Sequence, residues 1–178
     1  MAITVTPRHP ALGAEIRGID MRRPMDPETF KAVHDAWMKH LVVVFPDQPV
    51  TDQEHVAFTR HFGEPEIFHQ TSLHLRSDRV REIFLVSNVD ENDRLMTPAE
   101  PSQKQLSSSR QWHTDSSYRT TPSVGSLLHG IEISRTGGMA AFSCSVGGGE
   151  PTSRLSMLKS CLALRPSTWR RRPSGRSS

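Results

Sequence analysis

Apolar and polar positions alternate with a period of two at the start of the chain and then change to a helical period. Ile3-Thr4-Val5-Thr6 and Ala14-Glu15-Ile16-Arg17 are short β-prone runs, separated by a break at Gly13 and closed by Gly18, which is a hairpin pattern. Asp26 then stands as an N-cap, with Pro27 at the first helical position and Glu28 in the first turn. Phe30, Val33 and Trp37 are spaced to share one face, so a helix is predicted to about Lys39. Leu41-Val42-Val43-Val44-Phe45 reads as a buried strand stopped by Pro46-Asp47-Gln48-Pro49. Thr51-Asp52-Gln53-Glu54 is a capping-box pattern, predicting a second helix that ends near Gly63, with Phe58 and Phe62 one turn apart.

Beyond Glu64 the pattern is less regular. Residues 64–81 are rich in His and Ser and read as loop, whereas Ile83-Phe84-Leu85-Val86-Ser87 predicts a strand. The stretch from Asn88 to Arg110 is polar and carries Pro98, Pro101 and Ser107-Ser108-Ser109, the character of a long exposed loop of the kind that covers a site. A Pro122 turn, a strand across Val124 to Ile133, a Gly137-Gly138 turn and a short strand Met139 to Phe142 follow. The predicted class is mainly β with flanking helices (α+β), and it suits a barrel or sandwich better than a Rossmann-type sheet.

Composition changes this picture at one place. Residues 144–178 hold seven Lys/Arg against one Glu, with eight Ser, six Arg and three Pro and no sustained period. Two domains are expected: 1–143 as the folded body, and 144–178 as an Arg/Ser/Pro-rich tail that fits either disorder or a stretch read out of frame. The net charge of +3 is a property of the tail, because residues 1–143 hold 15 basic and 18 acidic residues. A basic surface for nucleic acid is therefore not expected of the body. Both cysteines, Cys144 and Cys161, lie in the tail and suggest neither a disulfide framework nor a zinc site. The N-terminus lacks the layout of a secretory signal, and no apolar run approaches the roughly 20 residues that span a bilayer, so a cytoplasmic protein without a membrane partner is expected.

The chemistry centres on His113-Thr114-Asp115. Positions i and i+2 of a strand point to one face, so an imidazole nitrogen and a carboxylate oxygen can meet on one metal. By itself the triplet is weak, since nine His among 178 residues make such spacings common and a polar pair on a strand is the plain alternative.

Its surroundings say more. Trp112-His113-Thr114-Asp115-Ser116-Ser117-Tyr118-Arg119, Thr121-Pro122, Gly125-Ser126-Leu127-Leu128 and Gly137-Gly138 resemble the metal-binding core of the taurine dioxygenase family, which includes 2,4-dichlorophenoxyacetate dioxygenases. Leu12-Gly13-Ala14-Glu15-Ile16, Gly18-Ile19-Asp20, His40 to Phe45, Asp47-Gln48 and Phe62-Gly63-Glu64 are similar to that family in the same order. The resemblance implies a double-stranded β-helix (jelly-roll, clavaminate synthase-like), here incomplete at the C-terminus. It implies Fe(II), 2-oxoglutarate as co-substrate and O2, with His113 and Asp115 as two ligands of a two-His-one-carboxylate site. The activity implied is hydroxylation of a small, anionic organic substrate with release of succinate and CO2.

The same comparison marks departures. The family's second His and its 2-oxoglutarate-binding Arg lie far downstream of the His-x-Asp pair, whereas no His follows His129 here. Arg170-Arg171-Arg172 is a bare charge run, and Ala140 stands where the family commonly has a Thr touching the co-substrate. Weak or absent turnover is therefore expected of this chain. By resemblance His69, Asn88 and Tyr118 are substrate-binding candidates; solvated loop His, turn-forming Asn and packed Tyr are the plain readings. Trp112 reads as core and His129 as structural. The alternatives to an active enzyme are an inactive remnant of the family, or an anion-binding module acting through the basic tail. A small-molecule substrate is the expected partner, and the sequence leaves a homo-oligomer open.

Overall fold

The computed structural model describes residues 2–10, 12–67, 80–90, 94–97, 99–100, 115–116, 119–132 and 160–165. The chain divides into two compact units, residues 1–50 with 124–178, and residues 51–123.

The first unit is built on a five-stranded sheet. β1 (Thr4–Pro7) and β2 (Ala14–Arg17) form the expected antiparallel hairpin, with Val5 opposite Ile16. α1 (Pro27–His40) follows, its N-cap Asp26 accepting the Thr29 amide at 2.8 Å, and β3 (Val42–Pro46) comes next. β2 and β3 pair in parallel, with Ala14 beside Val43. A parallel pair cannot be closed by a tight turn, and α1 is the crossover that makes it feasible. Parallel pairing was not legible in the strand pattern.

The core follows the two periodicities. Ala14 and Ile16 of β2 point inward on alternate positions, while β3 buries Val42, Val43 and Phe45 in a nearly continuous apolar run. α1 contributes Val33, Ala36 and Trp37 to the same core and packs on β2 and β3. The Gln48 side chain ties the segments on either side: its carbonyl accepts the Met21 amide at 3.0 Å and its amide donates to the Ile19 and Pro46 carbonyls at 3.2 Å.

β4 (Gly125–His129) and β5 (Ser160–Arg165) complete the sheet in the order β1-β2-β3-β5-β4, with β5 parallel to both neighbours. The strand expected from Val124 to Ile133 is thus shorter, and residues 130–132 lie outside it. A strand at 160–165 also interrupts the coil expected across 144–178. Local sequence did not point to β5, whose pairing partners, β3 and β4, lie far from it along the chain.

The second unit begins with α2 (Asp52–Thr59). Its capping box is complete, Thr51 Oγ1 accepting the Glu54 amide and Glu54 Oε2 accepting the Thr51 amide at 2.7 Å. The helix ends at Arg60 rather than near Gly63, and residues 60–63 continue as turn. His55, Val56, Phe58 and Val80 are buried, with the Phe58 and Phe62 rings 5.5 Å apart. Among the described residues the run expected as a strand, Ile83 to Ser87, is reduced to a single bridge at Phe84. Phe84 and Val86 are exposed on one side of the run, while Ile83, Leu85 and Ser87 are half-buried on the other.

Candidate metal-ligand turn

Of the residues singled out by sequence, Asp115 and Asn88 are described, whereas His113, His69, Tyr118, Trp112 and Ala140 lie outside the described residues. His129 stands in β4 of the other unit.

Asp115 occupies a turn, not the strand position that the i, i+2 spacing suggested. Asp115 is exposed to solvent. The residue after it, Ser116, is buried and has a positive φ of 50°, a backbone region that a side chain with a Cβ enters only at a cost of about 1 kcal/mol or more.

Local polar contacts offset that cost. The Arg119 amide donates to the Ser116 carbonyl at 3.0 Å. The Ser116 and Ser123 hydroxyls lie 2.8 Å apart, and Ser123 Oγ donates to Glu66 Oε2 at 3.1 Å. Glu66 in turn forms an ion pair with Arg119. Glu66, Ser116, Arg119 and Ser123 therefore form one connected set around the Asp115 turn. Sequence reasoning passed over all four. Ser116 and Arg119 sit in the quoted motif, but nothing in the spacing connects them with Glu66, which lies 57 residues before Ser123.

Asn88 is exposed at the base of a small loop. Its carbonyl accepts the Met96 amide at 2.9 Å, and Val89 and Leu95 form an antiparallel bridge just inside. Arg94 fastens the loop, bonding Asp90 through Nε at 2.9 Å and Glu100 through both guanidinium nitrogens at 3.1 Å. The Arg94 guanidinium, helped by the Thr97 amide, pulls the Glu100 carboxyl down to about 2. The first part of the stretch expected to be an exposed loop is thus pinned by charge.

Whether a ferrous ion suits this site is a question of donor chemistry. An imidazole and a carboxylate two residues apart are two of the three donors of a facial two-His-one-carboxylate set. The exposed Asp115 carboxylate fits that use, although among the described residues no cluster of three or more His, Cys, Asp or Glu is gathered for a metal. Among the described residues no helix is long and apolar enough to cross a membrane.

Comparison with known proteins agrees with the motif reading. The model of the taurine catabolism dioxygenase TauD, TfdA family matches residues 4–145. The chain is 27% identical over 146 residues to the (S)-phenoxypropionate/alpha-ketoglutarate-dioxygenase of Delftia acidovorans, covering 79% of this chain and 46% of that one. It is 24% identical over 143 residues to the alpha-ketoglutarate-dependent 2,4-dichlorophenoxyacetate dioxygenase of Cupriavidus pinatubonensis, covering 80% and 50%. The solved structure of AAD-2 in complex with Mn(II) and N-oxalylglycine superposes with a TM-score of 0.55 at 25% identity, over 68% of this chain and 39% of that one. The chain spans about half the length of the curated relatives it matches. With the family model covering 142 of 178 residues, from 4 to 145, the chain belongs to the taurine catabolism dioxygenase TauD, TfdA family.

Proposed function

We propose that the whole protein is an Fe(II)- and 2-oxoglutarate-dependent dioxygenase that hydroxylates a small, anionic organic substrate, releasing succinate and CO2. The observation that carries this reading is the family match over residues 4–145, which takes in His113-Thr114-Asp115 together with the flanking motifs. The boundary of that match supports residue 143 as the end of the family-like body. It also supports a double-stranded β-helix for the whole protein, as does the superposition on AAD-2.

In this reading His113 and Asp115 supply two iron donors, one neutral and one anionic. When bound, the iron activates O2 together with the 2-oxo acid and so supplies the power to attack an unactivated C–H bond. The protein's own part is to hold the carboxylate and imidazole, to admit the substrate and to exclude water. The Asp115 carboxylate would offset part of the metal's positive charge. Asn88 borders the substrate, with His69 and Tyr118 as further contacts. The relatives named for phenoxypropionate and 2,4-dichlorophenoxyacetate make an aryloxy acid the first substrate class to try.

The test is consumption of O2 and formation of succinate with Fe(II) and 2-oxoglutarate, across a panel of aryloxy acids. His113→Ala and Asp115→Ala should each abolish both. Turnover that survives either substitution would remove the assignment.

A further inference from the structure

Ser123 has a single hydroxyl hydrogen and two oxygen neighbours, Ser116 Oγ at 2.8 Å and Glu66 Oε2 at 3.1 Å. The ionised Glu66 carboxylate is acceptor-only, so the Ser123 hydrogen must point to it. The remaining bond then has one direction: Ser116 Oγ donates to Ser123 Oγ. The chain Ser116 to Ser123 to Glu66 is therefore ordered end to end and terminates on a charge, which strengthens each link. Arg119 closes it into a ring, since its guanidinium pairs with Glu66 while its backbone amide holds the Ser116 carbonyl.

Ser116 is gripped at two points, hydroxyl and carbonyl, in a strained backbone conformation. It shares a peptide bond with Asp115, so fixing Ser116 fixes the plane from which the Asp115 side chain departs. Partners hydrogen-bonded directly to a metal ligand typically change metal affinity on the order of 10- to 100-fold when removed, which sets the upper scale for a network that acts one residue away.

We propose that Ser123 and Glu66 are positioning residues that aim the Asp115 carboxylate at the metal, acting through Ser116. The proposal rests on the reading of Asp115 as a metal ligand. It assigns to Glu66 a role at a distance, because no metal contact is required of it.

The experiment is Mn(II) binding to the full chain, followed by electron paramagnetic resonance without any co-substrate. The melting temperature and the circular dichroism of the metal-free protein are measured alongside, so that affinity is expressed per folded molecule. Ser123→Ala should weaken Mn(II) binding by on the order of 10-fold or more while the metal-free protein remains folded. Ser123→Thr keeps the hydroxyl and should restore the affinity. Glu66→Gln is the second variant: it removes the charge that terminates the chain and should also weaken binding. Asp115→Ala separates the two claims. If Asp115→Ala loses Mn(II) but Ser123→Ala and Glu66→Gln bind it as tightly as the unsubstituted chain, positioning is overturned and the ligand assignment stands. If Asp115→Ala binds Mn(II) undiminished, the ligand assignment fails and the positioning role fails with it.

Discussion

The Gln48 side-chain carbonyl takes the backbone amide of Met21 at 3.0 Å, joining two segments 27 residues apart around a methionine that is almost wholly buried. Removing the acceptor strands that amide, and an unsatisfied buried donor costs about 1–3 kcal/mol. Gln48→Ala should lower the urea midpoint by a corresponding amount with no change in the slope of the transition. Gln48→Glu keeps the acceptor but loses the donor that serves the Ile19 and Pro46 carbonyls, and should fall between the two.

Gly13 and Gly18 both have positive φ, of 94° and 90°, but their surroundings differ. A Cβ on Gly13 would meet nothing within 4 Å, whereas one on Gly18 would lie 2.8 Å from the Ala2 carbonyl oxygen. Gly13→Ala should cost about 1 kcal/mol through backbone strain alone. Gly18→Ala should cost about 2 kcal/mol or more, since the clash adds to the same strain. Chemical denaturation of the pair isolates the steric part.

Glu100 is the clearest titration. Its carboxyl is held at about 2 by Arg94, so the bond contributes stability that is fully present above the ordinary carboxylate range. That contribution is lost as the pH falls from about 4 towards 2. In Arg94→Gln the Glu100 carboxyl should titrate higher, part of the way back to the usual carboxylate range because the Thr97 bonds remain, observable by carbon NMR of the side chain. Because both groups reach solvent, raising the ionic strength should move the native value in the same upward direction.

Thr51 caps α2 through its hydroxyl, and Glu54 returns the bond. Thr51→Ala should destabilise the protein by about 1 kcal/mol, and Thr51→Ser should recover most of that. Thermal unfolding followed at 222 nm checks both.

Local signals were legible wherever a residue acts on its immediate neighbours. Asp26 and Thr51 named both helix starts, and Gly13 and Gly18 marked the hairpin. Leu41 to Phe45 gave away a buried strand, offset by one residue from β3. What failed depends on distant partners. The apolar run at Ile83 to Ser87 has the composition of a strand but makes only a single bridge, at Phe84, and composition cannot report which distant segment will pair with it. The motif reading put Asp115 on a strand, whereas the chain turns there through Ser116. The Glu66 and Ser123 contact lies outside any short-range pattern.

The crossover formed by β2, α1 and β3 lies within residues 14–46, and β1 joins it from residue 4. Every partner needed for that substructure is close along the chain, so little loop-closure entropy stands against it. It is expected to organise early, even while later residues are still emerging from the ribosome. Truncations of Val43, fully buried in β3, should then slow refolding, whereas loss of the late Ser123 link should chiefly hasten unfolding.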